Sequence, residues 1–135
     1  MFASKLLLVF LTFLSLLFSQ EWFTKFDEGI KRAKEENKLA LIYFYSDHCP
    51  YCHQVEEFVF GDEDVEKFLN KNFVVISVNI NEELSEKFDV FGTPTFVIYD
   101  PIKGKVLAKF FGSLDAETFL SMLTKVCNKS SVRRC

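Results

Sequence analysis

The chain has little of what a nucleic-acid-binding protein needs. Its 135 residues carry 16 lysines and arginines against 19 acidic residues, a net charge of −3, with both signs interspersed as on a solvated surface. Without a basic excess there is no electrostatic footprint for a phosphate backbone, so no nucleic-acid partner is expected. Five glycines and three prolines leave no repeat or low-complexity segment. No apolar run reaches the roughly 20 residues of a membrane-spanning helix. The run that comes nearest, Leu6 to Phe18, has 13 residues. The first twenty residues hold no cysteine, which excludes a lipid-modified N terminus of the lipoprotein type.

What the chain does have is apolar bulk: 49% hydrophobic residues, among them 17 phenylalanines, enough to fill the core of one domain. Met1 to Lys5 is a short positive start, and Leu6 to Phe18 fits the apolar region of a secretory signal peptide. Residues 1–19 are therefore expected to be a signal peptide, with an uncleaved anchor as the alternative. Cleavage is expected after Ser19 or Gln20, although Leu17 stands where a small residue is usual. Export places the protein in the periplasm or another extracytoplasmic space, where the four cysteines are candidates for disulfides.

Trp22, Phe26, Ile30 and Ala33 recur at helical spacing and run into Lys34-Glu35-Glu36-Asn37. That pattern predicts an amphipathic first helix with Trp22 in the core. Leu39 to Tyr45 and Phe73 to Asn79 have too few polar residues for a wet face and read as buried strands. After Cys52, Val55 and Val59 point inward on a helix that ends before Gly61, a residue suited to a C-terminal cap. Asp62 or Asp64 caps a short helix with Val65, Phe68 and Leu69, and Glu82 to Phe88 makes another. Thr95 to Tyr99, the turn Asp100-Pro101-Ile102-Lys103-Gly104 and Lys105 to Phe111 form an antiparallel hairpin. Gly112-Ser113-Leu114-Asp115 opens a last helix whose apolar stripe includes Phe119, Leu123 and Cys127. One domain spans residues 20–127, followed by a flexible basic tail at residues 128–135.

The chemistry gathers at Cys49-Pro50-Tyr51-Cys52-His53, where a buried strand gives way to a helix. Two thiols one helical turn apart close a small disulfide ring. At the helix start, unpaired N–H groups and the positive end of the dipole favour the thiolate of Cys49, the form that attacks disulfides. Pro50 suits the first turn, where its missing N–H costs nothing. Cys49 is the candidate nucleophile and Cys52 the resolving thiol.

Strand, Cys49-Pro50-Tyr51-Cys52, helix, and a later Gly92-Thr93-Pro94-Thr95 before another apolar strand together resemble the thioredoxin superfamily over about residues 21 to 127. The acidic helix after the cysteines and Gly112 to Phe119 are similar to compact exported members, notably the C-terminal domain of the periplasmic thiol:disulfide interchange transporter. The resemblance implies an α/β thioredoxin fold: a central mixed β-sheet flanked by helices, here with an N-terminal helix. It implies a thiol:disulfide oxidoreductase reducing protein disulfides, with Cys49 and Cys52 catalytic and Pro50, Tyr51, Thr93 and Pro94 binding substrate. Thr93-Pro94 is then a cis peptide that exposes the Thr93 backbone to pair with substrate as an added strand. A monomer without cofactor or metal is expected, fed electrons by a membrane thiol:disulfide protein. The family usually has a buried carboxylate six residues before the first cysteine, and this chain has Tyr43 there. A water or another carboxylate (Asp47, Glu56 or Glu57) then moves the proton of Cys52, or its transfer is slower.

Other readings compete. A thiol oxidase or isomerase would use the same fold, though no large helical insertion of the strongly oxidising branch separates the motifs. Cys49 to His53 also satisfies the c-type haem attachment pattern, but neither the strand before it nor Gly92-Thr93-Pro94 has a role there. Two thiolates with His48 or His53 suit zinc or Cu(I). A purely structural Cys49–Cys52 disulfide would close too small a ring to stabilise much. Cys127 is either a small buried hydrophobe on the last helix or the partner of Cys135 in a disulfide that pins the tail.

Overall fold

The computed structural model describes residues 22–135, so the expected signal peptide at residues 1–19 lies outside the described residues. In order, the elements are β1 (Trp22–Phe23), α1 (Phe26–Glu36), β2 (Leu39–Tyr45) and α2 (Pro50–Gln54), which passes into a π-helical turn (Val55–Val59). They continue as α3 (Glu63–Asn72), β3 (Phe73–Asn79), α4 (Leu84–Lys87), β4 (Thr95–Asp100), β5 (Lys105–Phe111) and α5 (Ala116–Lys129). The strands form one sheet in the order β1-β3-β2-β4-β5. β1 and β2 lie parallel to β3, while β4 runs antiparallel to β2 and β5 to β4. This is the mixed sheet flanked by helices that the sequence implies.

Strand alternation divides the core between the two faces of the sheet. Leu39, Leu41 and Tyr43 point to one face, with Phe96, Phe119 and Leu123. Ala40, Ile42 and Phe44 point to the other, with Ile76 and Val97. All six residues from Leu39 to Phe44 are fully buried, which is why β2 reads as a run with no polar face. The phenylalanines pack as a connected set centred on Phe96. Its ring stacks on Tyr43 at 5.4 Å and Phe110 at 5.1 Å, and meets Phe119 edge-on at 5.1 Å. Each such pair adds about 0.5–1.5 kcal/mol beyond the area it buries.

Two local expectations change, and two alternatives left open by the sequence are resolved. Trp22 is not the start of the first helix: it lies in the two-residue strand β1, opposite Val75, and is 37% exposed. The helix begins at Phe26, and the Trp22 ring instead covers Phe60 edge-on at 4.8 Å. Gly61 is needed for close approach rather than as a left-handed cap, because a Cβ there would collide with the Glu57 carbonyl oxygen. That crowding follows from the π-helical turn, where Phe60 N–H donates to Val55 O at 2.9 Å and the widened turn brings Val55, Val59 and Phe60 all inward. Asp62, not Asp64, caps α3, its Oδ1 accepting the N–H groups of Asp64 and Val65. Finally, α5 runs on to Lys129, and a Cys127–Cys135 disulfide folds the chain end back, with Val132 packed against the core.

Candidate active site

β2 ends at Tyr45, and Ser46, Asp47 and His48 carry the chain to the start of α2. Cys49 is the N-cap of that helix, in an extended conformation (φ −129°, ψ 98°), and Pro50 takes the first helical position. The Cys49 Sγ accepts the backbone N–H of Cys52 at 3.1 Å. The two cysteines form a disulfide, with Cα atoms 5.2 Å apart. Cys52 is enclosed in the core at 1% exposure, while Cys49 keeps 6% and its neighbours Pro50 and Tyr51 are exposed. The pair is thus asymmetric, one sulfur on the helix end and the other beneath it.

Thr93 and Pro94 come to the same place through the sheet. Phe44 lies opposite Thr95 in the antiparallel β2–β4 register, which continues to bring Ser46 opposite Thr93. Their hydroxyls are hydrogen-bonded at 2.8 Å. The Thr93-Pro94 peptide is cis. The Pro94 carbonyl accepts the N–H of Gly112 at 2.9 Å, and Gly112 has φ +104°, a conformation that requires glycine. One sheet end therefore gathers Cys49, Cys52, Pro50, Tyr51, Thr93 and Pro94. Ser46 has no role in the sequence reading, and only the strand register reveals its link to Thr93. Beside Thr93, a groove lined by Val90, Gly92, Lys109 and Phe110 is flanked by the exposed rings of Phe91 and Phe111.

Tyr43 occupies the position six residues before Cys49 and is fully buried between Phe96 and Phe60. Its hydroxyl lacks a hydrogen-bond partner of good geometry. Burial pushes its pKa up, and the nearby Glu56 carboxylate pushes the same way, with Tyr45 adding a smaller effect. Of the three carboxylates considered as substitutes, Glu56 is the one whose charge reaches Tyr43. It also lies 3.5 Å from His53 Nδ1, one turn back on the same helix. Asp47 is turned elsewhere, accepting from the Asn79 side-chain amide at 3.3 Å. His48 and His53 are exposed. Among the described residues, no group of three or more histidine, cysteine, aspartate or glutamate side chains is arranged to hold a metal ion.

Comparison with known proteins agrees with this geometry. A family model described as a thioredoxin-like domain matches residues 26–127. A thiol:disulfide interchange protein DsbD of Actinobacillus pleuropneumoniae is 31% identical over 104 residues, covering 71% of this chain and 18% of that protein. The Haemophilus influenzae protein of the same name is 28% identical over 108 residues, covering 73% and 18%. The chain thus spans about a fifth of the length of these curated relatives. Among solved structures, a thioredoxin from Thermus thermophilus superposes with a TM-score of 0.76 at 36% identity, covering 84% of this chain and 91% of that one. The oxidised C-terminal domain of Neisseria meningitidis DsbD shares the fold with a TM-score of 0.64 at 17% identity, covering 78% and 98%. The chain belongs to the thioredoxin-like domain family, as a thioredoxin-like oxidoreductase with a Cys-x-x-Cys pair at Cys49 and Cys52.

Proposed function

We propose that the protein is an exported thiol:disulfide oxidoreductase that reduces protein disulfides through a Cys49/Cys52 dithiol. The asymmetry of the pair carries the reading. The Cys49 sulfur sits on an amide N–H at a helix start, where a thiolate is favoured, and Cys52 is held below it. The curated relatives are named for thiol:disulfide interchange, and we carry that exchange chemistry over to this chain.

The Cys49 thiolate attacks one sulfur of a substrate disulfide. A mixed disulfide forms, and the other substrate sulfur leaves with the electron pair as a thiolate. Cys52 then loses its proton and attacks the Cys49 sulfur. The Cys49–Cys52 disulfide closes, and the second substrate sulfur departs as a thiolate, so two electrons have passed to the substrate. Glu56 is our assignment for the carboxylate that serves the Cys52 proton in place of the usual buried acid, because its charge acts on Tyr43 and it stands one turn from His53. Pro50 and Tyr51 contact the substrate, and the Thr93 backbone beside Pro94 pairs with it as an added strand. The Ser46–Thr93 hydrogen bond supports this, since it ties that segment to the loop before Cys49.

Reloading with electrons requires a dithiol protein, in this reading a membrane thiol:disulfide donor. Residues 1–19 act as the export signal, residues 20–127 as the redox domain and residues 128–135 as an appended tail. The pairing of all four cysteines in disulfides supports an oxidising compartment. A trapping experiment tests the roles. Cys52→Ser is expected to accumulate mixed disulfides through Cys49, and Cys49→Ser to trap none. If Cys52 proved the thiol alkylated first at mildly acidic pH, the assignment would fail.

A further inference from the structure

A cluster of basic side chains gathers at the end opposite Cys49. Cys49 follows the C-terminal end of β2, so the opposite end is where the parallel strands β1, β2 and β3 begin. α1 and α3 finish just before β2 and β3 and so end there. α5 leaves β5 near the Cys49 end, where Phe111 pairs with Thr95, and its 14 residues carry it back about 21 Å. Three contacts bind these ends together. Lys38 Nζ donates to Asn70 O at 2.8 Å, the Arg133 guanidinium donates to Asn37 O at 3.5 Å, and the Cys127–Cys135 disulfide holds the tail on α5.

Lys34, Lys71, Lys125, Lys129, Arg133 and Arg134 outnumber the exposed Glu35 and Glu36 on this end, and all six but the half-buried Arg133 are exposed. None of the six is ion-paired with a carboxylate among the described residues. The Cys49 end is acidic by contrast, with Asp27 and Glu28 in the first turn of α1, Asp47 beside the cysteines, and Glu82 and Glu83 ahead of α4. The first described residue, Trp22, lies toward the basic end as well. Trp22 opens β1 opposite Val75, near the start of β3, and the residues preceding it in sequence include Lys5 and the apolar run Leu6 to Phe18.

We infer that the basic end is a docking surface for an anionic phospholipid bilayer, seating the domain with Cys49 facing the aqueous phase. The inference rests on reading residues 1–19 as a membrane-directed segment, because Trp22, which follows that segment in sequence, lies toward the basic end. A lysine or arginine near an anionic surface strengthens partitioning by about fivefold. The effect fades within a Debye length of about 8–10 Å at moderate salt, so a cluster confined to one end orients the domain while the acidic end is repelled.

The test uses the full chain with vesicles of phosphatidylcholine alone or mixed with phosphatidylglycerol, read by co-sedimentation at about 0.1 M salt. Wild type is expected to bind the anionic vesicles at least about tenfold more tightly than the zwitterionic ones. Lys71→Glu, Lys125→Glu, Lys129→Glu and Arg134→Glu together are expected to abolish that preference, while unchanged far-ultraviolet dichroism and disulfide-reductase activity report an intact fold. Lys25→Glu with Lys87→Glu, outside the basic end, is expected to retain it. Binding to phosphatidylcholine alone reads the apolar leader, so failure of the leader reading and failure of the docking surface are separate results. The inference is overturned if wild type shows no preference for anionic lipid. It is equally overturned if the four reversals leave the preference intact, or if the control pair removes it as completely.

Discussion

Cutting the Cys127–Cys135 cross-link should destabilise the domain without touching its chemistry. The two residues are separated by 8 positions in sequence, and chain-entropy reasoning for a loop of that size gives about 2.5 kcal/mol of stabilisation. Cys135→Ser removes only the cross-link, because Cys135 is exposed. Cys127→Ser should be worse. Cys127 is fully buried in the same core cluster as Leu123 and Leu69, so a serine there also buries a hydroxyl, adding about 1–3 kcal/mol if it is left unpaired. Cys127→Val should recover most of that second loss. Each kcal/mol lowers the Tm of a domain this size by roughly 4 °C, so Cys135→Ser should melt roughly 10 °C below wild type. Urea denaturation under oxidising conditions, with reduction of insulin as the activity control, checks both parts. A Cys135→Ser protein within about 0.5 kcal/mol of wild type would refute the stapled tail. A protein equally stable but inactive would refute the separation of this disulfide from the redox end.

Tyr43 should give the domain an alkaline limit. Its folded pKa lies above the ordinary 10.0, mainly through burial, so above about pH 10 the folded state holds a proton that the unfolded chain releases, and stability falls as pH rises. Tyr43→Phe keeps the ring packing and should flatten that slope in urea titrations between pH 9 and 11, with a change under about 1.5 kcal/mol at neutral pH. Glu56→Gln should slow release of the mixed disulfide by at least about tenfold in stopped-flow assays while leaving Cys49 alkylation unchanged. Adding Tyr43→Asp to that variant should restore part of the rate and lower stability, because it buries a charge. An unchanged release rate in Glu56→Gln would show that another group serves the proton.

The elements legible in the sequence are those whose patterns serve packing alone. β2 and β3 have the bounds that their near-continuous apolar runs indicate, since strands buried on both faces have little polar alternation to blur them. The hairpin of β4 and β5 is equally plain, because Asp100 Oδ1 accepts two N–H groups of its own turn and Gly104 takes the positive φ that follows. β1 is illegible because two residues have no period, and Trp22 happens to stand at helical spacing from Phe26. Its strand exists only through pairing with β3. The π-helical turn has no compositional mark either, since it is one extra residue in an otherwise helical stretch. At the site, the residue types of Cys49 and Cys52 announce the chemistry. Ser46 does not stand out and Glu56 is only one of three candidate carboxylates, because their parts depend on register and on distance across the fold.

The reduction potential of the Cys49/Cys52 couple tests the reductase reading most directly. Thiolate stabilisation at a helix start raises the potential, but such dipole effects are typically worth about 0.3–1 kcal/mol, and about 1.4 kcal/mol corresponds to only about 30 mV for a two-electron couple. These effects adjust the potential of a reductant without making it an oxidant. Equilibrating the purified protein with glutathione buffers of graded ratio, and reading the fraction of Cys49 open to alkylation, gives the value. The expected result is a moderately reducing couple, below about −200 mV and thus on the reducing side of protein disulfide isomerase at about −180 mV. A couple near the about −120 mV of a dedicated oxidant, still reduced in strongly oxidising buffers, would contradict the reading and make the protein an oxidase or isomerase of the same fold.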